Sequence, residues 1–343
     1  MSRFYEIEPT PENYWRAIIL FGRNTASYKF ALAKALLDLQ HQGKSSVTLT
    51  ELALPYAQHL CQHLQTHPKQ SSREKSTFLQ QLHRFNLGEI DQDQMIYQTV
   101  CHGFNYVLEA FHNVHGTEIE RPFFSYETGA SKRLHLTNEL FKLAEPQRLN
   151  LEQETEARWQ LVEAAWENNL SRNLMLVEYE DKNQRFIGVN STRRVNVTSA
   201  RPALNGYQKG RCFYCFCSIS VVQGSDDMAD VDHFFPHKLK QCDTQKPIDG
   251  VANLVLSCQK CNRGVEGKFD KLPALPLLDR LFKRNEYLIS SHHPLRETLI
   301  SQIGNSVAKR QRYLQEAYNC STMFVGAAGR QKWQPIPQAT AIF

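Results

Sequence analysis

The sequence predicts an α+β protein, mostly helical: a helical first part, then a cysteine-rich second part with short strands and flanking C-terminal helices. Three observations predict it. Apolar residues recur at spacings of three and four through much of the first 170 positions, as in helices with one buried face. Two C-x-x-C pairs stand in the second part. Charge divides with them: Met1 to Ala200 holds 21 Lys plus Arg against 23 Asp plus Glu, whereas Arg201 to Phe343 holds 19 against 12. The chain has 343 residues, 41% hydrophobic and 22% charged, enough to bury a core and too apolar for a disordered polymer. No apolar run approaches the roughly 20 residues of a membrane span. Met1 to Thr10 is polar and acidic, so no signal peptide and no membrane partner is expected. Nine cysteines, an odd number, argue for reduced cytoplasmic thiols rather than a disulfide framework.

The elements follow in order. Pro11 to Leu20 suits a helix, with Thr10 as its cap and Pro11 at the first position. Thr25 to Leu39 carries Tyr28, Ala31, Leu32, Ala35, Leu36 and Leu39 on one face. Thr50 is expected to cap a helix through Leu64, and further helices are expected over Lys75 to Phe85 and Asp91 to His112. Arg121 to Leu134 reads as a short strand or hairpin. Leu136 to Ala144 is a helix ended by Pro146, and Glu154 to Asn169 is an amphipathic helix with Trp159, Val162 and Trp166 on one side. Leu174 to Tyr179 and Arg185 to Val189 form a hairpin that could belong to either part. The boundary is set at 1–190 and 191–343. Beyond it come a helix over Thr198 to Gln208, strands over Ala229 to Phe235 and Ala252 to Leu256, and helices over Leu277 to Phe282 and Arg296 to Tyr318.

Cys212-Phe213-Tyr214-Cys215 and Cys258-Gln259-Lys260-Cys261 are two knuckles. Zn²⁺ takes four thiolates in a tetrahedron, and each tight turn supplies two. The gap between them, about 42 residues, makes the ion the closure of a long loop holding a folded insert. Cys217, two positions past Cys215, is read as a spare thiol. Inside the loop lie Asp230-Val231-Asp232-His233, then Asn253-Leu254-Val255, and Asn262 directly follows the second knuckle.

That order, C-x-x-C, Asp-His, Asn, C-x-x-C-Asn, resembles the HNH, or ββα-metal, endonucleases over residues 210–273, with Asn262 where His is common. The resemblance implies a zinc-bound ββα core and hydrolysis of phosphodiester bonds in DNA. His233 would be the general base and Asn253 the brace of its loop. Asp232 and Asn262 would hold one Mg²⁺ or Mn²⁺. Such chemistry needs a proton acceptor working near neutral pH and a hard cation held by oxygen donors. Asp230 is a candidate second carboxylate. Proteins of this kind and size also resemble parts of prokaryotic restriction or anti-phage systems. His237, Lys268, Arg280, Lys283 and Arg284 are candidate nucleic-acid contacts, as is the basic stretch with Lys309, Arg310 and Arg312. Two other readings stand beside this one: a zinc-ribbon nucleic-acid-binding module without catalysis, and an RNA-directed nuclease. The helical part has no assigned chemistry. It could recognise DNA, bind a protein partner or oligomerise. His59 and His63 share a helix face there without an evident carboxylate.

Overall fold

Helix α1, Pro11–Phe21, begins where the sequence places it, with the Thr10 hydroxyl accepting from the Asn13 amide at 3.3 Å. The computed structural model describes residues 8–21, 26–71, 76–114, 116–127, 132–167, 177–180, 184–190, 193–236, 250–290, 295–324 and 332–343. The chain divides into two units, Met1–Asn169 and Leu170–Phe343, so the hairpin left open above falls in the second.

In the first unit, α2 (Tyr28–His41) buries the expected Ala31, Leu32, Ala35, Leu36 and Leu39. Strand β1 (Ser46–Thr48) leads into α3 (Leu49–Thr66). Its cap is Thr48 rather than Thr50. A capping box needs an acid three residues on, and Glu51 supplies it, returning a carboxylate to the Thr48 amide at 2.9 Å, whereas Thr50 has Ala53 there. Helix α4 spans Thr77–Asn86 and α5 spans Gln92–Gln98. The single helix expected to His112 is interrupted by a π-turn at Thr99–Gly103 and by Tyr106 at φ 66°, before α6 (Val107–Ala110). Packing explains the break. The Tyr56 hydroxyl donates to the Gly103 carbonyl at 3.0 Å, and a Cβ on Gly103 would lie 2.7 Å from the Phe78 ring.

Strands β2 (Asn113–Val114) and β3 (Thr117–Glu118) form a hairpin, and β4 (Phe124–Tyr126) and β5 (Arg133–Leu136) join β1 in the order β1-β5-β4. After α7 (Asn138–Phe141), α8 runs unbroken over Glu145–Glu167. Pro146 therefore opens this helix instead of ending the previous one, because its missing N–H costs nothing in a first turn. Trp159, Val162 and Trp166 are buried, and Arg16 of α1 grips Glu154 of α8 through two hydrogen bonds of 2.8 and 2.9 Å.

His63 of α3 gains the carboxylates its sequence neighbourhood lacked. Its ring stacks on Trp159 with centroids 3.5 Å apart, while Nδ1 meets Glu163 at 2.7 Å and Nε2 meets Glu156 at 3.3 Å. Burial alone would push the imidazole down; hydrogen bonds to Glu156 and Glu163 outweigh it and raise the pKa from 6.5 to about 9. Glu156 is lowered from 4.5 to about 2, its burial outweighed by His63 and Lys34. The His63 contribution is thus complete below pH 6.5 and lost as pH rises through about 9; that of Glu156 is complete above 4.5 and lost toward 2. A tenfold difference in proton affinity between the folded and unfolded chain is worth about 1.4 kcal/mol. Lys29, lowered to about 8 by burial, shifts stability the opposite way above pH 8, so the His63 contribution is read as a difference: in thermal melts of the full chain, His63→Ala should lower the first unit's transition by several degrees more at pH 6 than at pH 9.5.

In the second unit, β6 (Val177–Glu180), β7 (Arg185–Asn190) and β8 (Arg193–Ser199) form an antiparallel meander, one strand more than the expected hairpin. Helix α9 (Ala200–Gln208) follows. Strands β9 (Asp230–His233) and β10 (Leu254–Ser257) pair antiparallel, with His233 opposite Leu254 and Asp230 opposite Ser257. The short helix α10 (Gln259–Arg263) comes next, capped by the Cys258 sulfur, which accepts from the Cys261 amide. Helices α11 (Leu275–Ser290), α12 (Arg296–Ile303) and α13 (Val307–Phe324) close the unit. The one helix expected over Arg296 to Tyr318 is broken at Gly304, whose φ of 112° suits only glycine. Trp333 then pairs with Pro273 in a parallel bridge. Among the described residues no helix is long and apolar enough to cross a membrane.

Candidate metal centre and active site

Gln208, at the end of α9, fixes the first knuckle against β10. Its side-chain amide donates to the Arg211 and Leu256 carbonyls and accepts from the Leu256 amide at 2.8 Å, and Phe213 donates its own amide to Leu256. Cys212 and Cys215 are thereby laid beside Cys258 and Cys261, at the start of α10. The Cys215 and Cys258 sulfurs lie 3.8 Å apart, far beyond a disulfide bond. Four sulfurs about 2.3 Å from one tetrahedral ion would stand about 3.8 Å apart. Backbone amides already point at them: Cys258 donates to the Cys212 sulfur at 3.3 Å and Cys261 to the Cys258 sulfur at 3.4 Å. Hydrogen bonds from Cys212, then from other thiols of the cluster, hold Cys215 and Cys258 below the usual thiol range. The cluster could hold a metal ion such as zinc; its chemistry and spacing fit.

One expectation needs correction. Cys217 is no spare thiol: the sulfurs of Cys212, Cys215, Cys217 and Cys258 all lie within 4.8 Å of one another. The Cys261 sulfur is not part of that group; Cys261 meets it through its amide, which donates to the Cys258 sulfur at 3.4 Å. The reason is local. Phe216 takes a left-handed conformation, φ 64°, which turns the chain back so that the Cys212 amide bonds the Cys217 carbonyl at 2.9 Å.

His233 ends β9 and is 9% exposed. The chain bends immediately afterwards, and Asn253 grips the bend: its Oδ1 accepts from the Phe235 amide at 2.7 Å and its Nδ2 donates to the Phe235 carbonyl at 3.1 Å. These are the contacts of a brace. Asp230 and Asp232, two apart on β9, face the same side. Asn262 donates to Asp230 at 3.1 Å, as does the half-exposed Arg263. Asp232 is engaged elsewhere. Its Oδ2 accepts from the Tyr214 hydroxyl at 2.5 Å and its Oδ1 from the Lys268 ammonium at 3.0 Å. The oxygen donors suit a hard cation in kind. As a pair, however, Asp232 and Asn262 do not fit the Mg²⁺ or Mn²⁺ expected between them. Asn262 meets Asp230 instead, and a buried ammonium already stands on Asp232.

Three of the basic residues expected on nucleic acid are spent inside the fold. Lys268, 1% exposed, pairs with Asp232. Arg280 donates to the Phe213 and Tyr214 carbonyls and lies over the Phe216 ring at 4.2 Å. Arg284, 3% exposed, serves the carbonyls of Val251, Ala252 and Leu254. Each is a correction with one cause: buried carbonyls and a buried carboxylate need donors, and long cations on neighbouring segments supply them. Arg310 likewise pairs with Glu286. Lys283 is exposed beside Asp279, and Lys309 and Arg312 are exposed. His237 lies outside the described residues.

The sequence reading also missed Tyr214 as the link between the first knuckle and Asp232. The signal was present, since an aromatic hydroxyl between two cysteines needs a partner when buried. No family model matches the chain, and no curated protein or solved structure matches it.

Proposed function

We propose that the second unit is an HNH-type endonuclease domain hydrolysing phosphodiester bonds, in DNA before RNA, with His233 as general base. The observation that carries this reading is the setting of His233: it closes the first strand of a strand–strand–helix unit, and Asn253 clamps the bend beyond it. An imidazole held there would take a proton from water near neutral pH; as the hydroxide oxygen bonds to phosphorus, the bond from phosphorus to the leaving sugar oxygen breaks, and that oxygen takes a proton from solvent. A Mg²⁺ or Mn²⁺ ion is part of the proposal because the expected activity depends on one; no step is assigned to it, since Asp232 and Asn262 do not frame a common position. Exposed Lys260 and Lys271, with Arg263 and Lys283, offer phosphate contacts around the helix. A place in a prokaryotic restriction or anti-phage system, with a protein partner bound through the helical first unit, extends the same proposal.

The Lys268–Asp232 pair favours a second reading, a zinc-ribbon module that binds nucleic acid without cutting it. One experiment separates the two. Plasmid DNA and a matched RNA are incubated with the full chain and Mg²⁺ or Mn²⁺. The nuclease reading expects cleavage that His233→Ala reduces at least about 100-fold, the scale of a general-base contribution. Undiminished cleavage by that variant overturns the assignment of His233. Metal-dependent binding with no cleavage under either ion favours the module.

A further inference from the structure

The cysteine cluster offers one sulfur more than a tetrahedral ion uses. The sulfurs of Cys212, Cys215 and Cys258 lie within 4.8 Å of one another and of the Cys217 sulfur, while Cys261, last of the second C-x-x-C pair, sits beside them with its amide on the Cys258 sulfur at 3.4 Å. The two reach the shared trio from different arms of the chain. Cys217 arrives on the return limb of the first knuckle, set by the left-handed Phe216 and by the bridge between Arg211 and Ser218. Cys261 arrives in the first turn of α10, with its own amide on the Cys258 sulfur.

We propose that Cys217 and Cys261 are interchangeable fourth ligands of one metal site, with Cys212, Cys215 and Cys258 as its fixed ligands. Zn²⁺ has no preference among thiolates beyond the tetrahedron they make. With Cys261 bound, each arm gives two sulfurs; with Cys217 bound, the first arm gives three and Cys258 alone holds the second. Either way the ion ties residue 212 to residue 258, so the loop stays closed while one thiol is free. The centre therefore tolerates chemical loss of either alternate ligand, and it exchanges ligands without opening. This inference is independent of whether the unit cuts nucleic acid.

The test uses the full chain loaded with zinc and, separately, with Co²⁺, whose absorption bands report the number of thiolates. Cys217→Ser and Cys261→Ser should each keep one equivalent of metal and a four-thiolate cobalt spectrum. Their affinity in chelator competition should stay within about 100-fold of the parent, the scale of an outer-shell change rather than a lost ligand. The double variant, and Cys212→Ser alone, should lose the four-thiolate spectrum and weaken binding beyond about 100-fold. Loss of the metal from either single variant overturns the proposal, as does a parent protein that holds none. A second readout does not depend on any variant folding. In the zinc-loaded parent, limited alkylation followed by mass spectrometry should divide the label between Cys217 and Cys261. Label confined to one of them overturns it.

Discussion

Once the chain has been loaded with zinc, exhaustive chelation should unfold the second unit and leave the first intact. The ion would close a loop of about 42 residues between Cys215 and Cys258, and everything expected to act lies inside it or just past it: Asp230, Asp232, His233, Asn253 and Asn262. Binding of a structural zinc is worth on the order of 10 kcal/mol in small zinc-dependent folds. That exceeds the typical net stability of a whole domain, about 5–15 kcal/mol, at its lower end. Calorimetry of the full chain should show two transitions with metal bound and only the first unit's transition after exhaustive chelation. Re-addition of zinc should restore the second. Two unchanged transitions after chelation would mean that the knuckles pack without an ion.

Lys268→Met should destabilise the second unit by about 3–5 kcal/mol, because removing one partner of a buried ion pair strands the other charge. Lys268 and Asp232 are both nearly inaccessible, 3.0 Å apart, and the Tyr214 hydroxyl cannot neutralise a carboxylate. Lys268→Met combined with Asp232→Asn should recover much of the loss, since two neutral side chains of similar shape replace the pair. Urea unfolding monitored on the second unit's transition measures both. An unchanged midpoint for Lys268→Met would show that the pair contributes nothing. The same series bears on the cation question. If Asp232 is a strut between Tyr214 and Lys268, Asp232→Asn should cost stability while leaving Mn²⁺ binding where it was in the parent.

Much of the architecture was legible because it is local. Helix α2 and the buried face of α8 follow from apolar spacing, and Thr10 from capping chemistry. Strands β9 and β10 follow from short apolar runs. The breaks at Gly103 and Gly304 were not legible. One depends on Phe78 and Tyr56 lying against the glycine, the other on a backbone conformation that a single Gly in a helical pattern does not announce. In the site, the order of the chemical groups could be read, but not their partners.

By itself, then, the sequence determined that two C-x-x-C pairs are present, which strand carries the Asp-His pair, and that the basic excess lies in the second part. Each C-x-x-C pair and the apolar run that carries the Asp-His pair are local patterns of a few residues, and the charge excess is a matter of composition, so none of them depends on how distant segments pack. The tertiary structure alone decided that Cys217 joins the cluster, that Asn262 pairs with Asp230, and that Lys268, Arg280 and Arg284 are spent within the fold. The physical reason is burial. A charged or polar group taken from water must find a partner, and the nearest one is set by packing between segments distant in the chain.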